Sequence, residues 1–122
     1  MHKSRLCSVV IDCENVELEV ASRFWSQVFG RDPKPAEGQY VELEDRAGQP
    51  IVLIQRVAHP SRVHLDIETD DVDAEVARLE ALGARRLEKV QTWWVLEAPT
   101  GQRFCVVRAT RGALSEDANV WP

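Results

Sequence analysis

The sequence predicts an α+β fold: two tandem βαβββ modules whose strands form an open, curved mixed sheet with the helices outside. Two internal matches and the reading of each copy lead to it. Gly30-Arg31 through Gly48-Gln49 returns 53 positions later as Gly83-Ala84 through Gly101-Gln102, with Leu43 on Leu96 and Glu44 on Glu97. Upstream, at 56 positions, Asn15-Val16-Glu17-Leu18-Glu19-Val20 lies against Asp71-Val72-Asp73-Ala74-Glu75-Val76. Each copy then reads strand, helix and three strands. Repeats of this size are supersecondary units that bury a core only by packing on one another. The change of offset predicts a first helix about three residues longer than the second.

Ser8 to Cys13 is an apolar run of strand length. Asn15 is placed to cap a helix from Val16 to Phe29, with Glu17 and Glu19 in the first turn where negative charge suits the dipole. Val16, Val20, Phe24 and Val28 recur at four-residue spacing beside Ala21, Trp25 and Phe29, an apolar face expected to pack on a sheet. Gly30 is the expected left-handed stop. A proline-containing link, 32–38, leads to a strand at 39–44, a turn at Arg46-Ala47-Gly48 and a strand at 51–57. His59-Pro60-Ser61 joins the copies. The second runs strand 62–69, cap at Asp70 or Asp71, and a helix lined by Val72, Val76, Leu79 and Leu82 that ends at Gly83. Strands follow near 86–90, 93–96 and 103–108, the last two joined by Pro99-Thr100-Gly101.

The 122 residues make one expected domain, 1–122, of module 6–57, module 62–108 and a C-terminal tail 109–122, with Trp121 as a docking side chain. Fifteen basic against twenty acidic residues leave a net charge of −5, which argues against nucleic acid, since phosphate binding wants a basic face. The apolar run after the basic start stops at Asp12, too early for a signal peptide or a membrane span. Cys7, Cys13 and Cys105 have no CxxC spacing and leave one over, which fits a reducing cytoplasm. No phosphate loop, GxSxG elbow, HExxH pair or dinucleotide fingerprint occurs.

His64-Leu65-Asp66-Ile67-Glu68-Thr69-Asp70-Asp71-Val72-Asp73, Leu82-Gly83-Ala84 and Ala98-Pro99-Thr100-Gly101-Gln102-Arg103-Phe104-Cys105 together resemble the vicinal oxygen chelate superfamily, the glyoxalase/bleomycin-resistance/dioxygenase group, and within it short bacterial glyoxalase-like domain proteins. The resemblance covers about residues 6 to 108. It implies a glyoxalase fold with a ligand in a concave face and a homodimer. In the enzymes of the group it implies a divalent metal acting as Lewis acid, held by His from the first strand and Glu from the last strand of each module. Carried over by the two offsets, those positions are Ser8, Val52, His64 and Cys105, one imidazole and one thiol. Two such ligands do not hold a catalytic divalent ion tightly. The expectation is therefore a small-molecule-binding protein without the usual metal site and without a cofactor.

Alternation puts His64, Asp66 and Glu68 on one face of their strand, toward the ligand, and Leu65 and Ile67 toward the helices. Asp66 and Glu68 are expected near a solvated rim, with His64 as a hydrogen-bonded wall; a displaced metal, a general base or a metal-free ligand contact are the alternatives. The expected ligand-binding residues are His64, Asp66, Trp94, Cys105 and Gln55, with His64 also a weak metal candidate. Trp93 and Trp94 must face opposite ways, so one indole is core and the other a cleft wall. Tyr40 is a further lining candidate, whereas Trp25 and a buried Cys105 suit packing as well. The alternative function is a metal-dependent lyase, isomerase or dioxygenase, with Ni, Zn, Fe or Mn bound by His64 and unusual partners.

Overall fold

A computed structural model describes residues 1–109, 114 and 116–122. The elements are β1 (His2–Glu14), α1 (Leu18–Phe29), β2 (Tyr40–Glu42), β3 (Ile51–Val57), β4 (Arg62–Thr69), α2 (Val72–Ala81), β5 (Arg85–Val90), β6 (Trp93–Glu97), β7 (Arg103–Arg108) and β8 (Asn119–Trp121). The eight strands form one mixed sheet in the order β2-β3-β1-β4-β7-β6-β5, with β8 paired to β1. β1–β3 and β4–β7 are parallel and the hairpins antiparallel. By contacts the chain has two compact units, Ser8–His64 and Met1–Cys7 with Leu65–Pro122.

In the unit Ser8–His64 the core is Ile11, Cys13, Ala21, Leu43, Val52 and Ile54, with Val16 and Trp25 packed against it. The first helix starts later than the sequence suggests. Asn15 is not its cap but takes a left-handed φ of 51°, and its N–H meets the Val57 carbonyl at 2.9 Å. Glu17 holds the cap position without a side-chain cap bond. The expected apolar row is also turned outward: Val20, Phe24 and Val28 are 55%, 58% and 53% exposed. Small Ala21 and Ser22 are the buried helix residues instead. Short side chains let a helix backbone come close to a sheet, and the row one position away then falls outside the contact. Gly30 stops the helix at φ 66°, its N–H bonded to the Ser26 carbonyl. Buried Arg31 then ties the loop by donating to the Glu44 carbonyl at 2.7 Å.

In the other unit, Val76, Leu96 and Val106 are fully buried, with Val72, Leu79, Ala84, Trp94 and Phe104 around them. Asp71 is the working cap of α2, its Oδ1 accepting the Ala74 N–H at 3.0 Å. Leu82, expected on the packed face, is 66% exposed because the helix ends at Ala81 and Leu82 already belongs to the stop. The first strand begins at His2, not Ser8, because the 119–121 end of the expected tail is a strand on it: His2 pairs Trp121 and Ser4 pairs Asn119. Thr110–Ala113 and Ser115 of that tail lie outside the described residues. A fully buried carboxylate, Glu75, pins this corner. It accepts from His2 Nε2 at 2.8 Å and from Arg78 Nε and Nη2 at 2.8 Å each. The Arg78 guanidinium lies 3.7 Å from the Trp121 ring centroid, and the Trp121 indole N–H donates to Ser4 Oγ at 2.8 Å.

Candidate functional site

β4 carries the row expected of it. His64 is half-buried and Glu68 is 4% exposed, so Glu68 is not at a solvated rim; it is paired to the Arg5 guanidinium from β1. Burial of a carboxylate requires such a partner. Leu65 shares the helix-side register with Phe104 but stays 43% exposed.

His64 has a partner that the sequence reading missed. Its Nδ1 lies 2.8 Å from Oδ2 of Asp12, a β1 carboxylate only 2% exposed. His59 Nε2 stands 4.0 Å from the same oxygen, and among the described residues Asp12 Oδ1 has no hydrogen-bond partner. Gln55 is the register partner of Asp12 on β3, which puts the two side chains on one face. The signal for Asp12 was present: an aspartate inside an otherwise apolar strand run needs a partner to be buried. Tyr40 pairs Gln55 across β2–β3, but its hydroxyl is committed to Glu37 Oε2 at 2.7 Å, and that bond raises the phenol's affinity for its proton.

Asp66 and Cys105 are register partners across β4 and β7, which puts both side chains on one face. Along this strand pair the ligand-type atoms of His64, Asp66 and Cys105 lie within 4.8 Å of one another. Trp94 does not join them. It pairs Val106 and packs in the helix-side core, with Arg86 over its ring at 5.0 Å. Its open edge belongs to a separate cavity of about 410 Å³ lined by Asp71, Val72, Lys89, Gln91 and Arg108. Val95 is the register partner of Cys105, so the indole two residues along on that face is Trp93. Trp94, the indole expected on the ligand face, is thus the core one, because Leu96 two residues on lies in the core.

The glyoxalase-like domain family's profile matches residues 8–107. The chain belongs to the glyoxalase-like domain family. It is thereby a member of the vicinal oxygen chelate superfamily. Among curated proteins no sequence matches. Solved structures do. A Mn(II)-bound glyoxalase from Novosphingobium aromaticivorans is 16% identical at a TM-score of 0.63, over 95% of this chain and 44% of that one. This chain thus spans less than half of that glyoxalase. Methylmalonyl-CoA epimerase from Mycobacterium tuberculosis is 14% identical at 0.65, over 86% and 87% of the two chains. A hypothetical protein from Bacillus halodurans C-125 is 10% identical at 0.70, over 92% and 99%. At these identities the likeness concerns the fold.

For a glyoxalase-like domain the structure corrects one carried-over position. Val52 lies in the core with Ile54, whereas Cys105 faces away from Phe104 and Val106. Register identifies the true counterpart. Asp66 pairs Cys105, and Val10, 56 positions before Asp66, pairs Leu53. The repeat therefore slips by one residue after Gly-Gln: Pro50 stands between Gln49 and β3, while β7 starts directly after Gln102. A one-residue slip moves every side chain to the other face. The four positions become Ser8, Leu53, His64 and Cys105. Among the described residues no helix is long and apolar enough to cross a membrane.

Proposed function

We propose that this glyoxalase-like domain binds a small molecule on the sheet face of His64, Asp66 and Cys105, and works without the superfamily's usual ring of His and Glu ligands. The observation that supports this is the Val10–Leu53 pair, standing where the other copy has Asp66–Cys105. Two apolar side chains replace two donors, and Ser8 stands where the other copy has His64. Such a face offers shape, an imidazole and a carboxylate to a polar ligand, with Trp93 as an aromatic neighbour of Cys105. The test is thermal shift against small carbonyl, hydroxyl and aromatic compounds, with EDTA throughout. A ligand that binds the native state raises the midpoint, and His64→Gln removes the rise. One equivalent of metal in protein purified without chelator, whose removal abolishes ligand stabilisation, refutes the reading.

The second reading is a metal-dependent lyase, isomerase or dioxygenase, and it is favoured by the His64, Asp66 and Cys105 grouping. One imidazole, one carboxylate and one thiolate form a three-ligand set of the kind that holds catalytic zinc and leaves a position open. Titration with Co(II) decides between the readings. Thiolate-to-cobalt charge-transfer absorption that Cys105→Ser abolishes supports the metal site; no absorption at all removes it. Pairing of two chains and residence in a reducing compartment belong to the same proposal. None of Cys7, Cys13 and Cys105 forms a disulfide, and sedimentation velocity reports the pairing.

A further inference from the structure

Asp12 is held in a way that bears on how His64 works. Both oxygens are out of water, one occupied by His64 Nδ1 at 2.8 Å and the other, among the described residues, without a hydrogen-bond partner. A second imidazole, His59, approaches to 4.0 Å, beyond hydrogen-bond range. The Nδ1 of His59 lies 2.9 Å from the Pro60 carbonyl, an acceptor, so in the neutral ring the proton sits there and Nε2 brings none to Asp12. Among the described residues His64 is therefore the side chain that hydrogen-bonds this carboxylate. The nitrogen that faces a carboxylate must carry a proton, because both atoms otherwise present lone pairs.

We infer that Asp12 is the positioning residue of His64: it keeps the proton on Nδ1, fixes the ring, and makes Nε2 the nitrogen that gains or loses a proton. The inference rests on the reading of His64 as a ligand-contacting group, yet the pairing itself is tested without any ligand. The buried carboxylate also supports positive charge on the ring when Nε2 is protonated.

The experiment is nitrogen-15 NMR of the imidazole rings of the full chain through a pH titration, with His64 assigned by the signals that His64→Gln removes. In the wild type, Nδ1 stays in the shift range of a protonated nitrogen and only Nε2 titrates. A bond to an ionised partner biases the neutral tautomers by roughly tenfold or more. In Asp12→Asn, folded by circular dichroism, that bias falls by about the same factor. A merely structural Asp12 would change the melting point and leave the tautomer where it was. A wild-type His64 whose Nδ1 titrates overturns the inference even if the variant does not fold, and so does a folded Asp12→Asn with an unchanged tautomer. The functional reading fails separately, if His64→Gln leaves ligand stabilisation intact.

Discussion

Replacing Glu75 by Gln isolates the buried charge cluster that pins β8 to β1. The carboxylate is fully buried and accepts one hydrogen bond from His2 and two from Arg78, all at 2.8 Å, with Ser4 a further donor. An amide keeps one acceptor oxygen and turns its NH2 toward one of those donors. At least one charge-assisted bond, worth about 1.5–3 kcal/mol, is lost outright. The Arg78 charge is left beside a neutral group, and breaking a buried pair by removing one partner costs about 3–5 kcal/mol. Arg78 is 25% exposed, so water offsets part of that. The expected loss is about 3 kcal/mol, or roughly 10 °C in midpoint for a domain of this size. Burial pushes the Glu75 carboxyl up, but hydrogen bonds from Arg78, His2 and Ser4 outweigh it and hold it below the ordinary carboxylate value. A depressed folded value contributes stability above the unfolded one, near about 4.3, and loses it as pH falls through the folded value. Urea titrations at pH 7 and at steps down to pH 3 should therefore show wild type and variant converging in acid. A loss under about 1 kcal/mol at pH 7, or a gap that does not narrow in acid, refutes the reasoning.

Phe24→Ser on the exposed row of α1 should change unfolding free energy by less than about 1 kcal/mol, whereas truncation of a buried Phe would cost about 3–5; urea denaturation separates the two. Asp71→Ala removes the working cap of α2 and should cost about 1 kcal/mol, while Glu17→Ala at the uncapped start of α1 should cost only a few tenths. Trp93→Ala should weaken ligand-induced thermal shift with little loss of stability. Trp94→Ala should do the reverse, costing about 3 kcal/mol by its place in the core. A loss of ligand response from Trp94 alone would mean that the 410 Å³ cavity, not the face of Cys105, is the site.

The duplicated architecture could be read from the sequence because the repeat spaces its glycines, acidic helix starts and apolar runs alike in both copies. β3 and β4 fall where the pattern puts them. What could not be read depended on contacts distant in sequence. Asn15 looks like a cap by type, but the chain turns through it in a left-handed conformation instead. The row Val20, Phe24 and Val28 has helical spacing, yet periodicity does not say which of two adjacent stripes meets a sheet; the small residues beside it do. β1 begins at His2 only because a strand more than a hundred residues away lies on it. Of the candidate site, His64 and Asp66 share a face by strand alternation, and Cys105 is named by the position that the resemblance carries over. Asp12 was hidden in a strand that reads as core, and Pro50 shifted the repeat by one position without leaving a gap that alignment of Gly-Gln could show.

Cys13 sits in the core of the unit Ser8–His64, and burial, with the Asp12 charge adding to it, makes its thiol harder to ionise than an exposed one. The thiolate is the form that attacks thiol reagents, so this sulfur reacts chiefly when its surroundings come apart. Trp121, stacked under Arg78, plays the matching part for the other unit through its fluorescence. The molecule thus carries two native reporters, one read as the modification rate that Cys13→Ser removes and one as the emission that Trp121→Phe removes. Breathing of either half can be timed without attaching a dye.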